Sequence, residues 1–149
     1  MSHNSVSLQR VLKASPEKVY RAFTEPNALA SWIPPYGFIC TVHEMNVKVD
    51  GTFKMSFHNF STGNGHSFGG KYVEIKPNAF LKYMDQFDDP NLPGEIITSV
   101  WLKKVSVGTE IKILQEGIPA VIPTEMCYLG WQESLEKLAK LVEPEIPDA

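Results

Sequence analysis

Hydrophobic residues recur at every second position through most of the segment 38–117, and this alternation constrains the fold more than any other feature of the chain. Stretches such as FICTVHEMNV and GTFKMSFHNF are typical of strands that bury one face. Turn-forming residues interrupt them at Asp50-Gly51, STGNG, Pro77-Asn78, DDPNLPGE and Val107-Gly108. The pattern therefore predicts an antiparallel meander of about six strands, to which the alternating segment SVSLQRVLKA adds an opening strand.

Two short helices are predicted between the opening strand and the meander. Ser15 can cap the first helix, in which Pro16 takes the first position. The stretch FTEPNALASWIPP predicts a second helix with Thr24 as its cap. This helix must stop before Pro34-Pro35, because proline cannot donate the next backbone hydrogen bond. Trp32 therefore lies at the end of a very short helix.

The last predicted element is a long amphipathic helix, TEMCYLGWQESLEKLAKLVE. Glu133–Lys137 and Glu136–Lys140 are spaced as ion pairs on its wet side. Gly130 costs about 1 kcal/mol relative to alanine inside a helix, which predicts close packing at that position. The apolar side of the helix carries Cys127, Trp131, Leu135, Leu138 and Val142. Such a helix needs an apolar surface to cover, and one curved sheet supplies it.

Composition excludes several classes of protein. The length of 149 residues predicts a single domain, 1–149. A net charge of -3, with no cluster of basic residues, argues against nucleic acid and anionic membranes as partners. No apolar run is long enough for a transmembrane helix or resembles a signal peptide, so we expect a cytoplasmic protein. Cys40 and Cys127 have no metal-binding spacing, so two buried, reduced thiols are expected.

Several segments together resemble one superfamily. They are SPEKVYRAFTEPNALASWIPP, DGTFKMSF, GGKYVEIKPNAFLKYMDQF, GTEIKILQEGIP and YLGWQESLEKLAKLVE. Their order resembles the SRPBCC, or START-related, superfamily from about Ser5 to Val142. Within it, the chain is most similar to domains related to the C-terminal part of activators of the ninety-kilodalton heat-shock chaperone ATPase.

The resemblance implies an α+β helix-grip fold. In this fold a curved seven-stranded antiparallel sheet surrounds a long C-terminal helix and a cavity, and two short helices after the first strand plug one end. Trp32 would stand near the cavity mouth. The chain has Asp50-Gly51 where family members often have two glycines. The eukaryotic activators also carry an N-terminal domain linked to ATPase stimulation, for which this chain has no room.

The predicted ligand-binding residues are those expected to line the cavity. Alternation puts Phe53, Met55 and Phe57 on one strand face, and a solid core is the alternative explanation for such a face. Tyr72, Tyr83 and Asp85 are candidates for orienting a ligand, and the segment 32–38 is expected to gate access. The full set is Trp32, Tyr36, Phe38, Phe53, Met55, Phe57, Tyr72, Tyr83, Asp85, Phe87, Trp131 and Leu135.

Titratable residues leave alternatives open. His58 and His66 flank STGNG and either form a metal or acid–base pair or belong to an exposed hairpin tip. Asp85 is either a buried acid–base or ligand-orienting group or a solvated residue near a strand end. His43 and its neighbour Glu44 point to opposite faces. No nucleophile elbow or phosphate loop is present in the sequence, and no metal, nucleotide or flavin is implied.

Three functions fit these features. The first is a binding domain for a small hydrophobic ligand. The second is a chaperone-associated interaction module, which would use outward residues such as Trp101, with Val100 and Leu102 pointing inward. The third is an enzyme similar to polyketide cyclases or hydrolases, and an enzyme is the less favoured alternative. Either a monomer or a homodimer is compatible with the sequence.

Overall fold

The computed structural model describes residues 4–148. Seven strands and three helices follow one another along this part of the chain. The strands are β1 (Val6–Leu12), β2 (Phe38–Met45), β3 (Thr52–Asn59), β4 (Gly65–Lys76), β5 (Phe80–Phe87), β6 (Ile96–Val105) and β7 (Gly108–Glu116). The helices are α1 (Pro16–Thr24) and α2 (Pro26–Trp32), between β1 and β2, and α3 (Thr124–Val142), which follows β7.

All seven strands belong to one antiparallel sheet in the order β1-β7-β6-β5-β4-β3-β2. Strands β2 to β7 form a meander, and β1 pairs with β7 over its whole length, from Val6 opposite Gln115 to Leu12 opposite Thr109. The sheet curls into a half-barrel around α3. This arrangement confirms the predicted helix-grip fold.

The two short helices begin in different ways. The Ser15 cap is confirmed, because its hydroxyl accepts a hydrogen bond from the backbone N–H of Lys18 at 3.2 Å. The Thr24 cap is wrong, since the residue before α2 is Glu25. The Thr24 hydroxyl instead donates to the carbonyl of Tyr20 at 3.0 Å, the backward bond that threonine commonly makes inside a helix. Helix α2 ends at Trp32, before the two prolines, as predicted.

The β2–β3 hairpin is confirmed, but a longer loop than a two-residue turn closes it. Residues 46–51 lie between the paired strands. Asp50 takes a left-handed conformation with φ 65°, and the N–H of Gly51 bonds to the carbonyl of Lys48 at 2.8 Å. A Cβ at Gly51 would overlap the carbonyl oxygen of Asn46, so this loop requires glycine.

The polar side of α3 differs from its predicted form. Among residues 4–148, neither Glu133–Lys137 nor Glu136–Lys140 forms an ion pair. The Lys137 ammonium donates to the carbonyl of Pro34 at 2.8 Å, and a Glu133 carboxylate oxygen accepts from the N–H of Tyr36 at 3.0 Å. The two side chains therefore bond to backbone groups that the end of α2 leaves free, and not to each other. They tie α3 to the segment that follows α2.

The side chains of β6 point alternately to the outer face of the sheet and to the core. Trp101 points outward and is 42% exposed, whereas its neighbours Val100 and Leu102 are buried, as predicted.

A solid core joins β1, α1, α2 and the C-terminal half of α3 through the buried side chains of Leu12, Val19, Trp32, Ile111, Ile113, Leu138 and Val142. In residues 4–148, no helix is long and apolar enough to cross a bilayer.

Candidate ligand-binding cavity

A cavity of about 210 Å³ lies between the sheet, the short helices and the N-terminal half of α3. Eight of the twelve residues predicted from the sequence line it: Phe53, Met55, Phe57, Tyr72, Tyr83, Asp85, Phe87 and Trp131. Alternation within β3, β4 and β5 correctly placed the seven strand residues among them on the concave face, and the helical stripe placed Trp131. Whether they contact a ligand remains a prediction.

Four predicted residues do not line the cavity. Trp32 is 0% exposed, its indole N–H donates to the carbonyl of Ala22 at 2.8 Å, and its ring packs edge-on against Phe23 at 4.8 Å. Its expected place at the mouth is therefore wrong, because the backbone acceptor inside the α1–α2 corner holds the ring behind the wall. Trp32 supports Phe23, which does line the cavity.

The other three exceptions lie outside the cavity for simpler reasons. Tyr36 is exposed, and its N–H and hydroxyl both donate to glutamates of α3, Glu133 and Glu136. Tyr36 and Leu135 border a separate surface groove between β1 and α3. Phe38 is half-buried and belongs to neither space.

Sequence reasoning missed fourteen lining residues, and five of them lie on strands and share the two-residue period of those it found. His66 and Phe68 lie on the same face of β4 as Tyr72, and Leu81 lies on the same face of β5 as Tyr83. The two-residue period of the strands could therefore have identified them. The loop after β7 has no period and gave no signal. The missed residues are Phe23, Leu29, Ile33, Pro35, His66, Phe68, Leu81, Ile96, Gln115, Ile118, Ile122, Cys127, Gly130 and Ser134.

Aromatic rings form one end of the cavity. The rings of Phe57 and Phe68 meet edge-on at 5.0 Å, and His66 stacks obliquely 5.5 Å from Phe87. His66 and His58 are both exposed at the hairpin end. Partial desolvation, helped by nearby His58, lowers the pKa of His66, which favours the neutral imidazole. No group of three or more His, Cys, Asp or Glu side chains within residues 4–148 could hold a metal ion. The His58–His66 pair therefore lacks the further ligands that a metal site requires.

Hydrogen bonds satisfy much of the polar side of the wall. The indole N–H of Trp131 donates to the side-chain oxygen of Gln115 at 3.1 Å, and the amide of Gln115 donates to the Thr98 hydroxyl at 3.2 Å. The Ser134 hydroxyl donates to the carbonyl of Ile33 at 2.7 Å. These bonds fix the side chains of β7 and α3 around the cavity.

The two cavity tyrosines remain neutral phenols. Burial raises the pKa of both Tyr72 and Tyr83, and the neighbouring Asp85 raises that of Tyr83 further. Their rings pack against Phe53 at centroid distances of 5.3 and 5.7 Å. The rings therefore belong to the apolar lining, and the Tyr83 hydroxyl is hydrogen-bonded to Thr98.

Asp85 is the acidic side chain of the wall, and the structure places it inside rather than in water. It is only 8% exposed, and burial raises its pKa to about 7. No hydrogen bond or ion pair among residues 4–148 uses its carboxylate. Every fully enclosed side-chain nitrogen or oxygen in this part of the chain has a partner, so the carboxylate must open onto the cavity.

Gly70 lies directly opposite Asp85 across the β4–β5 pair. A Cβ at Gly70 would overlap the carbonyl oxygen of Met84. Only glycine permits the two backbones to approach this closely. Asp85 and Phe87 on the β5 side of this contact both line the cavity.

Both cysteines are free thiols, and their surroundings differ. Cys40 is buried, and burial raises its pKa to about 11. Cys127 is only half-buried and borders the cavity. The prediction of two buried thiols therefore holds for Cys40 alone.

Comparison with known proteins identifies the family of the chain. The model of the family described as "Activator of Hsp90 ATPase homolog 1-like protein" matches residues 13–143. The chain belongs to this family. The match confirms the resemblance to the SRPBCC superfamily. A comparison with curated proteins gave no match.

Solved structures agree with this assignment. A crystal structure of a protein from Chromobacterium violaceum is 53% identical, with 95% of this chain and 99% of that chain covered and a TM-score of 0.94. A protein from Rhodobacter sphaeroides is 19% identical over 93% and 91% of the two chains, with a TM-score of 0.82. A protein from Aeromonas hydrophila described as AHSA1-like is 17% identical over 91% and 90%, with a TM-score of 0.74. The last two likenesses concern the fold alone.

Proposed function

We propose that the protein is a binding domain that encloses one small hydrophobic molecule in the cavity between the sheet and α3. The observation that carries the proposal is the cavity of about 210 Å³ itself. Close packing normally leaves few voids larger than a water molecule, and this one lies between elements whose apolar faces meet elsewhere in a solid core. An apolar cavity of about 150 Å³ is large enough to hold benzene.

The composition of the wall supports the same proposal. Ligand sites are concave and mostly apolar, with a few polar groups that fix orientation. Here Phe53, Met55 and Phe57 supply the apolar floor, and Tyr72 and Asp85 supply polar groups. Burial of apolar ligand surface contributes about 25 cal/mol per Å².

The experiment that tests this proposal adds ethylbenzene to the protein and follows NMR shifts of residues lining the cavity. Gly130→Leu places a side chain beside the cavity, because nothing lies within 4 Å of a Cβ at this position. The matched control is Gln132→Leu, which adds the same side chain on the exposed side of α3. We expect binding by the wild type and the control and weakened binding by Gly130→Leu. Equal binding by all three proteins would contradict the proposal, as would a failure of the wild type to bind ethylbenzene or any of its analogues with a polar end.

Contact with a chaperone is a second candidate function, favoured by the family description and by one surface feature. Trp101 is outward-facing on β6, and its ring packs against Phe80 of β5 at 5.4 Å. The test adds the protein to an Hsp90-type chaperone and measures ATP hydrolysis. Stimulation that Trp101→Ala removes would support this function, and an unchanged rate with the wild type would exclude stimulation.

A further inference from the structure

Asp85 is the feature of the cavity that the burial of a purely apolar molecule leaves unexplained. A carboxylate taken out of water is strongly destabilising unless it is paired. Asp85 is 8% exposed, has no hydrogen-bond or ion-pair partner among residues 4–148, and opens onto the cavity. In the same wall, Gln115 and Ser134 have their hydrogen bonds within the protein.

The charges around Asp85 do not provide a partner either. The cavity wall contains no lysine or arginine among the described residues. His66 is the wall's basic side chain; it is exposed at the hairpin end, and partial desolvation and His58 lower its pKa.

The cross-strand neighbours of Asp85 are Gly70 and Ile96, neither of which carries a polar side chain. The Tyr83 hydroxyl lies close enough for Asp85 to raise its pKa, but its side-chain hydrogen bond is with Thr98, and burial alone shifts the pKa of Asp85. We therefore expect the hydrogen-bond donor for Asp85 to come from whatever occupies the cavity.

We infer that Asp85 sets the chemical class of the ligand: a small hydrophobic molecule whose polar end is a hydrogen-bond donor, as in an amine or an alcohol. This inference rests on the proposed function, because it assigns the polar end of the molecule that the cavity encloses. A carboxylate accepts hydrogen bonds and donates none. Hydrogen bonds to charged groups are about twice as strong as neutral ones.

The same geometry disfavours two other ligand classes. A carboxylic acid would bring a second negative charge beside Asp85, with no lysine or arginine in the wall to compensate it. A hydrocarbon would cover Asp85 and leave it without a partner. A site with a buried polar group rejects an analogue that lacks the matching group, because the protein group is then left unpaired.

The volume of the cavity limits the size of the hydrophobic part of the ligand. A cavity of about 210 Å³ exceeds the roughly 150 Å³ that holds benzene, so a single ring with a two-carbon chain is a suitable probe. Ethylbenzene, 2-phenylethanol, 2-phenylethylamine and phenylacetate share this framework and differ at the polar end. Comparing their affinities separates the effect of ligand shape from the effect of hydrogen bonding at the polar end.

The test measures the affinity of these four compounds by calorimetry at pH 8 for the wild type and Asp85→Leu. The control is Asp88→Asn, which removes an exposed acid close to the end of β5. We expect the amine and the alcohol to bind the wild type and the control about tenfold more tightly than ethylbenzene, with phenylacetate weakest. In Asp85→Leu this preference should disappear, and ethylbenzene should bind best.

The outcomes separate this inference from the proposed function. If ethylbenzene binds Asp85→Leu but the wild type shows no preference for the amine or the alcohol, the cavity binds ligands and the inference about Asp85 is overturned. Tightest binding of phenylacetate by the wild type overturns it as well. If none of the four compounds binds either protein, the proposed function itself fails.

A pH series on the wild type keeps the test independent of how Asp85→Leu folds. Asp85 titrates near pH 7, so its ionised fraction falls from about nine-tenths to about one-tenth between pH 8 and pH 6. The affinity for 2-phenylethylamine should fall about tenfold over this range, while that for 2-phenylethanol changes less. Tyr72, Tyr83 and Cys127 have raised pKa values and stay neutral.

His66 is the other wall residue that can gain charge on acidification, so His66→Gln is the control for the pH series. The fall in amine affinity should persist in this variant. An amine affinity that is equal at pH 6 and pH 8, or a fall that His66→Gln abolishes, would overturn the role of Asp85.

Discussion

The two halves of α3 face the same sheet but border different interiors. Along the C-terminal half, Leu138, Ala139 and Val142 are buried in a solid core with Leu12 and Val19. Along the N-terminal half, Cys127, Gly130, Trp131 and Ser134 border the cavity. One amphipathic stripe therefore runs from a filled region into an open one.

The side chains that the stripe carries differ between the two halves. Leucine and valine interdigitate with the side chains of β1 and α1 in the filled half. In the open half, glycine and serine stand where larger side chains would be needed to reach the aromatic floor of the sheet. A Cβ at Gly130 would have no atom within 4 Å. The prediction of close packing at this glycine is therefore wrong.

Truncation in the filled half has the largest expected effect. We expect Leu138→Ala to lower the free energy of unfolding by about 3–5 kcal/mol, because it opens a cavity where none existed. Leu81→Ala is the matched change, since Leu81 is equally a buried leucine but already borders the cavity. Urea denaturation should show the smaller loss for Leu81→Ala. Equal losses would mean that the two regions are packed alike.

The pH dependence of stability tests the open half. Burial raises the pKa of Asp85 from 3.8 to about 7 in the folded protein. A raised folded-state pKa stabilises the protein below the unfolded-state value, and this stabilisation is lost as pH rises through 7. At about 1.4 kcal/mol per pH unit, the loss between pH 4 and pH 8 is at most about 4 kcal/mol.

Asp85→Asn should flatten this part of the stability profile, measured by urea denaturation at intervals from pH 4 to pH 8. The Asp88→Asn control should retain the slope, because Asp88 is exposed and paired with Lys54. If the wild type gained stability from pH 6 to pH 8 relative to Asp85→Asn, Asp85 would not be a buried, unpaired acid.

Most of the fold could be predicted from the sequence, because its signals are local. Strand alternation, the Ser15 cap and the paired prolines after Trp32 each act over a few residues. The candidate site was predicted only in part. Alternation gave the direction of Phe53 and Asp85, but the place of Trp32 depends on an acceptor ten residues away, the carbonyl of Ala22. The loop residues Ile118 and Ile122 complete the wall only through tertiary contacts.

The close approach of β4 and β5 at Gly70 allows a smaller perturbation of the open half. We expect Gly70→Ala to destabilise the protein by about 1–3 kcal/mol, because the added methyl overlaps the backbone of β5 and forces the strands apart. Binding of ethylbenzene should weaken as well, since Tyr83, Asp85 and Phe87 of β5 line the cavity. Gly63→Ala at the β3–β4 turn is the control: alanine is strained at its φ of 79° and should also lower stability, but the added methyl meets no atom within 4 Å and Gly63 does not line the cavity, so binding should not change. Unchanged stability and affinity in Gly70→Ala would show that the close approach is dispensable.

The smallest expected effect has the opposite sign and comes from the helix glycine. Gly130→Ala should raise the free energy of unfolding by about 1 kcal/mol, because alanine favours the helix and the added methyl meets no atom within 4 Å. Chemical denaturation and ethylbenzene titration of the same variant measure both consequences. A gain in stability together with weaker binding would mean that this glycine preserves cavity space at the expense of helix stability. A loss of stability would instead place Gly130 in a tightly packed site, as in the filled half of α3.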